Sequence, residues 1–378
     1  MSSRARTVTV LVYPRESNPY QPLLCAALQE LATKRGDFRY RIVDVPAPRG
    51  TKQVLLHPLL AAWTLIAHAI TDRRRILHIH WMYSFKLPGG NSRLSLRAAF
   101  AASMMFLSLA KLLRFRVVWT VHNVLPHETI TSNDLAVRRK LALIADAVLV
   151  HSASTVPALA AAGINVPEAT VIPHPSYIGR YPQTATRRDG RVFLNLPDDA
   201  AVCLFLGRIE PYKNVPALID AFRIVAKQQP NAHLIIAGAC RNPALQDQLT
   251  SMLARTNHAR AMIRRVSDDE LSSFFRAADV VACPFLDVTT SGSAMLALSF
   301  GVPIVAPRIG ALADLPDDVG FFYEPMAPGG LADALAHALG SPDEVAKAAQ
   351  SAHDYAASMT WVRAAEATDA VYQRILAP

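Results

Sequence analysis

No Asp-x-Asp occurs anywhere in these 378 residues, nor does a Gly-x-Gly-x-x-Gly or Walker phosphate loop. The first absence removes the paired carboxylates that would hold a divalent ion on a diphosphate. The other two exclude the glycine-rich cradles for dinucleotides and nucleoside triphosphates. Any bound diphosphate must then be neutralised by side-chain cations and amide dipoles. Cysteine is scarce: Cys25, Cys203, Cys240 and Cys283 stand far apart in apolar surroundings, without CxxC or metal-ligand spacing. That excludes a disulfide framework and suits a reducing compartment. Long hydrophobic runs are missing too. The longest, 98–110, carries two serines, and a spanning helix needs roughly 20 apolar residues. The segment before Val8 is polar and basic, so no signal peptide is expected. An integral membrane protein is not expected.

Acidic residues are few in the first half. Residues 1–178 hold 21 Lys+Arg against 9 Asp+Glu, or +12 of the chain's +9; the remainder holds 18 against 21, or −3. Such asymmetry points to an anionic partner for the first half: membrane headgroups, a pyrophosphate-linked lipid or nucleic acid. The segment 94–116, apolar with cations at its end, is a candidate seat on a membrane and equally a sheet-covering helix.

Half the residues are apolar, and the length exceeds one ordinary core, so two domains are expected. Strand-like runs at 7–13, 38–45, 76–81, 116–121, 147–150 and 169–172 alternate with helical spacing. Periodicity lapses between 173 and 197, where a linker is expected, and then resumes with strands at 201–206, 233–237, 261–266, 280–284, 304–306 and 320–323. Ser267 and Glu270 form a capping-box pattern for the helix that follows. The last helix, 361–376, has no strand after it. The fold class is therefore α/β, with two Rossmann-like doubly wound parallel-sheet domains facing a cleft. The expected boundaries are 1–178 and 193–358, with 359–378 a helix packing back on the first domain.

Three stretches carry chemistry. Val202–Leu206 is a buried strand run that ends at Gly207 and delivers Arg208 and Lys213 to a carboxyl edge, where ligands bind in open α/β sheets. Two cations there suit a diphosphate, although a solvated surface pair would have the same spelling. Ser291, Gly292 and Ser293 open a helix, so that small residues, hydroxyls and a helix N-terminus converge on one anion; an ordinary capped helix is the structural alternative. His122, His127 and Glu128 close a first-half strand and are candidates for a general base. His78 and His80 share one strand face, and Trp81 follows them.

The pairing of GRIEPYKN with TTSGSAMLALSFGVPIVAP, preceded by SDDELSSFFRAADVVACPF, resembles the C-terminal domain of metal-independent GT-B glycosyltransferases. NPYQPLL, LHIHW and VWTVHNVLPHE extend the resemblance to the GDP-mannose-dependent β-mannosyltransferases of xanthan-type exopolysaccharide synthesis, across nearly the whole chain. The resemblance implies a nucleotide-sugar donor, a polyprenyl-diphosphate-linked acceptor at the inner face of the cytoplasmic membrane, and neither metal, cofactor nor nucleic acid. It implies a diphosphate site at Arg208, Lys213, Ser291, Gly292 and Ser293. Gly207, Gly238, Arg264 and Val266 are placed at the nucleotide, and Asn18, Tyr20, His80 and Trp81 at sugar or acceptor. Retaining relatives carry Glu-x7-Glu where this chain has Val288 and Leu296, which favours inversion and a base among His122, Glu128 and His127. The competing readings are a retaining transferase using a UDP-sugar, a nucleotide-sugar epimerase, and a non-catalytic nucleotide-sugar binder.

Overall fold

The computed structural model describes residues 6–14, 18–36, 38–45, 51–82, 85, 92–126 and 128–377. It divides into two compact units. One comprises Met1–Pro173 with Trp361–Pro378, and the other is His174–Thr360.

The first unit runs β1 (Arg6–Tyr13), α1 (Tyr20–Arg35), β2 (Phe38–Asp44), α2 (Thr51–Thr71), β3 (Arg75–Ile79), α3 (Arg93–Leu112), β4 (Arg116–Val121), α4 (Asp134–Ile144), β5 (Ala147–Val150), α5 (Thr155–Ala161) and β6 (Ala169–Val171). All strand pairs are parallel, in the order β2-β1-β3-β4-β5-β6. Strand alternation splits the core in two. Leu11, Tyr13, Leu77, Trp119 and Val150 face one way, against α2, α3 and α4. Val10, Val12, Ile76, Val118 and Leu149 face the other, against α1 and the chain's final helix.

Helix α3 is longer than the apolar run that marks it. By length and composition alone it could cross a bilayer. In the structure Ala99, Phe106, Leu107 and Ala110 bury one stripe of it in the sheet's core.

The second unit runs α6 (Arg187–Phe193), β7 (Ala201–Leu206), α7 (Val215–Gln228), β8 (Ala232–Ala237), α8 (Pro243–Leu253), β9 (Ala259–Met262), α9 (Leu271–Ala277), β10 (Val280–Ala282), α10 (Gly292–Ser299), β11 (Ile304–Pro307), α11 (Gly310–Ala313), β12 (Gly320–Tyr323), α12 (Gly330–Gly340) and α13 (Pro342–Ser358). Its six strands are also parallel, in the order β12-β11-β10-β7-β8-β9. The chain then returns to the first unit as α14 (Trp361–Leu376).

Three local expectations change. The stretch expected to be a linker contains α6, started by a capping box between Thr186 and Asp189. This helix is held by Arg191, which is buried and donates to the carbonyls of Pro197 and Ala200 at 2.8 and 2.6 Å. A seven-residue helix is too short to announce itself by periodicity. Strand β9 ends at Met262, so Arg264 and Val266 lie in the loop beyond it. Ser267 does not cap α9. Its N–H and O–H both donate to Glu270, and the helix begins at Leu271.

Candidate active site

In each unit the carboxyl edge of the sheet has one switch point, where the chain leaves the first strand to one side and later returns to the other. In the second unit this falls between β7 and β10, in the first between β1 and β3. Crevices form there because the connections diverge.

At the β7–β10 point, Gly207 follows the strand with φ 139°, and its N–H donates to Ala237. A Cβ on Gly207 would lie 2.8 Å from Lys213 Nζ and 3.3 Å from Ser293 Oγ. Any other residue would obstruct the place where these groups converge. Gly238 follows β8 beside it with φ 156°, and a Cβ there would collide with the Gly207 carbonyl oxygen. The short 3-10 turn Pro211–Lys213 then brings Lys213 inward. Leu286 N–H donates to the Tyr212 carbonyl at 2.8 Å and ties this turn to the loop after β10.

Lys213 is buried, so the solvated-pair reading does not hold for it. Its Nζ sits 3.4 Å from Ser293 Oγ, 5.5 Å from the Phe285 ring centre and 5.8 Å from that of Phe205. Burial lowers its pKa to about 8, with the neighbouring Arg208 cation acting in the same direction. Two acids act the other way: the Cys283 thiol, which burial pushes up to about 12 and keeps neutral, and the Glu210 carboxylate. A buried ammonium without a carboxylate against it is costly unless an anion arrives. Arg208 is exposed at the same turn, and no carboxylate pairs with it among the described residues. Ser291 Oγ accepts from the Ala294 amide at 3.0 Å and caps α10. The amides of Gly292 and Ser293 remain as donors at the helix's positive end.

The outer nucleotide candidates separate from this group. Arg264 makes a two-pronged ion pair with Glu270, at 2.9 and 2.5 Å. That pair holds the Glu270 carboxyl down to about 2. Arg264 therefore shapes its loop, and Val266 lies half-buried within it. Val288 is buried, and its carbonyl packs against Gly310.

In the first unit, three successive strands each end in histidine: His80 after β3, His122 after β4 and His151 after β5. Parallel register places all three on the α1–α14 face, with Val121 opposite Val150 and Ile79 opposite Trp119. All three are buried. His80 Nδ1 lies 3.2 Å from His122 Nε2, so one ring donates and the other accepts. The Trp81 ring stacks on His122, with centroids 4.1 Å apart and planes at 12°. Tyr20, the first residue of α1, presents its ring edge-on to His80, His122 and His151. Trp361, the first residue of α14, meets Tyr20 at 5.3 Å. Burial, with His78 and His151 close by, keeps His80 well below its ordinary pKa. The ring is therefore neutral near pH 7.

Other expected residues take different places. His78 lies deeper, bonded to Tyr372 Oη at 2.6 Å and Thr120 Oγ1 at 2.7 Å; burial lowers it to about 3. Asn18 accepts from the Tyr20 amide at 2.9 Å and starts α1. Glu128 is exposed in the loop before α4. His127 lies outside the described residues. His151 and Trp361 were not among the expected residues. For His151 the available signal was the repeated pattern of an apolar strand followed at once by histidine. For Trp361 there was none, since its partner Tyr20 is more than 300 residues away.

The family model described as "Glycosyl transferases group 1" matches residues 200–341. Over 263 residues the chain is 28% identical to a GDP-mannose:glycolipid 4-beta-D-mannosyltransferase of Xanthomonas campestris pv. campestris, covering 68% of this chain and 69% of that protein. It is 30% identical over 203 residues to D-inositol 3-phosphate glycosyltransferase 2 of Catenulispora acidiphila, covering 50% of this chain and 46% of that one. The match thus spans about half the length of the latter relative. Among solved structures, sucrose-phosphate synthase from Thermosynechococcus elongatus superposes with TM-score 0.72 at 16% identity, over 98% of this chain and 99% of that one. Anabaena HepE in complex with UDP and glucose does so with TM-score 0.69 at 18% identity, over 97% and 100%. With two parallel six-stranded units that superpose on these structures, the chain has the GT-B fold, and residues 200–341 of its second unit match the glycosyl transferases group 1 model.

Proposed function

We propose that this chain transfers mannose from GDP-mannose, with inversion, to a polyprenyl-diphosphate-linked oligosaccharide in exopolysaccharide synthesis. The observation that carries the donor half of this reading is Lys213, a buried cation with no carboxylate in ion-pair range among the described residues, beside Ser293 and the α10 amides. In this proposal Arg208, Lys213 and the amides of Gly292 and Ser293 receive the charge that develops on the departing nucleoside diphosphate. Preorganised donors of this kind lower a barrier because they need no rearrangement as charge appears. Gly207 and Gly238 leave room for the nucleotide. The protein's own cations take the neutralising role, so no metal or cofactor is required.

The likeness to a GDP-mannose:glycolipid 4-beta-D-mannosyltransferase supports the acceptor half. The buried His80–His122 pair and Trp81 form the acceptor-side group of the first unit. His122 is the favoured base, held in one orientation by Trp81 and His80; Glu128 and His127 are the alternatives. Asn18 and Tyr20 shape the edge of this group. The basic first unit meets an anionic membrane surface, and the enzyme works as a peripheral protein at the inner face of the cytoplasmic membrane. A retaining transferase using a UDP-sugar is the second reading, its donor suggested by the likeness to HepE solved with UDP and glucose.

A panel of GDP, UDP, ADP and their sugars in thermal shift should single out GDP and GDP-mannose, since a ligand of the native state raises apparent stability with occupancy. NMR of the product anomeric proton then separates inversion from retention. Transfer should be unchanged in EDTA; strict dependence on Mg²⁺ or Mn²⁺ would remove the cation-only account of the leaving group.

A further inference from the structure

Helices α2 and α3 cover the same face of the first sheet, with Ala61 and Leu65 of one and Ala99, Phe106 and Leu107 of the other in a single core. Their opposite stripes therefore turn away from the sheet. On an ordinary surface helix that stripe is polar. On α2 it is apolar: Leu59, Trp63 and Ile70 are 67, 66 and 80% exposed, and Leu56 and Leu60 share their side at helical spacing. Residues 53–71 contain no Asp, Glu, Lys or Arg. The outward stripe of α3 continues the surface with Leu94, Met105 and Leu112, at 72, 72 and 78%. Apolar exposure of this kind marks an interaction surface.

Charge identifies the partner. Residues 51–116 hold ten Lys+Arg and one acid, Asp72. Asp72 is already engaged, by His68 at 2.8 Å and Arg41 at 3.6 Å. Cations stand at the ends of the two helices, at Arg73 and Arg74 after α2 and at Arg93 in α3, while Lys111 at the far end of α3 is paired with Asp146 at 3.1 Å. An apolar centre with a tryptophan and a one-signed cationic border matches the layering of an anionic bilayer, acyl boundary inside and phosphates outside. A protein partner would need its own matching acidic rim, and nothing else about the face calls for one.

We infer that the outward α2–α3 face is the membrane-docking surface, and that α2 lies in the interfacial plane with Leu59 and Trp63 inserted, while α3 stays anchored in the core. This deepens the proposed function and rests on its reading that the acceptor is lipid-linked.

The test uses the full chain and vesicles of phosphatidylcholine alone or with phosphatidylglycerol. Sedimentation should show binding to the anionic vesicles only, weakening as salt rises. Leu59→Gln and Trp63→Gln should each lower vesicle affinity about tenfold, as removal of one inserted apolar side chain does. Ile224→Gln, an exposed site on α7 of the second unit, should leave it unchanged. Brominated acyl chains should quench tryptophan fluorescence, and Trp63→Phe should remove most of that quenching, which keeps the test independent of any one variant's folding. Transfer to a short, detergent-soluble acceptor should match the wild type in every variant. Equal binding by Trp63→Gln, equal binding to both vesicle types, or a dimer that the two substitutions dissolve would overturn the docking surface. Vesicle binding as expected, with no transfer to any lipid-linked acceptor, would instead overturn the function while leaving the surface in place.

Discussion

Lys213 shows how one residue's environment sets its chemistry. Its ammonium is buried between Phe205 and Phe285, and burial lowers its pKa to about 8. A lysine depressed below its unfolded value near 10.5 binds fewer protons folded than unfolded between those two pH values. Stability of the free protein should therefore rise as pH rises from about 8 to 10.5. Lys213→Met should lose that rise, which chemical denaturation at several pH values will show. Catalysis should run the opposite way, because only the protonated form offers charge to a diphosphate. Transfer at limiting donor should fall as pH passes about 8. Lys213→Ala should lower turnover roughly 10²–10³-fold, the usual loss for one charge-stabilising donor. An unaltered rate would remove Lys213 from the diphosphate site.

At the scale of an element, α14 is the clearest case. It was expected to pack back on the first domain, and Asp369 is what ties it to α1 and β2. This buried carboxylate accepts from Arg35 of α1 and from the Tyr40 hydroxyl of β2, with Gln373 Nε2 at 3.3 Å. Burial, reinforced by Asp369, raises the Tyr40 phenol above its ordinary pKa, so it remains a donor. Tyr372, one turn along, bonds His78 inside the sheet. Asp369→Asn keeps the shape but removes the charge from two of these bonds. A loss of about 2 kcal/mol is expected, within the range for hydrogen bonds to a charged group, read as a lower urea midpoint. A midpoint equal to the wild type's would reduce the latch to ordinary helix packing.

For the whole molecule, chain order and unit membership part company, because the last helix belongs with the first 173 residues. A chain stopped after Thr360 lacks Trp361 beside Tyr20 and Tyr372 beside His78. The first unit's core should then open, while the second unit retains its strands and its response to nucleotide. Two separate transitions in thermal melts are expected, with only the upper one moved by the favoured nucleotide. A single unchanged transition would show that α14 is dispensable.

Much of this was legible in the residues. Alternation of β-branched runs with helical spacing spells a doubly wound sheet, because a strand buried on both faces must be apolar throughout and its crossover helix on one side only. Gly207, Arg208, Lys213 and the small residues around Ser291 form a local pattern, and Ser291, Gly292 and Ser293 open their helix as read. Short elements such as α6 were not legible, since seven residues make too few turns for a stripe. The acceptor-side group was legible only in part. His80 and His122 could be named one strand at a time, whereas their contact depends on register between strands 42 residues apart.

By itself, then, the sequence determined the alternating α/β order, the identity of the cations at the end of β7 and the basic character of the first half, because each is written in neighbouring residues. Tertiary structure alone decided that Lys213 is buried rather than solvated, that three histidines meet under Tyr20, and that α2 turns its apolar stripe outward. Those outcomes depend on which distant segments pack together, and distance along the chain carries no record of that.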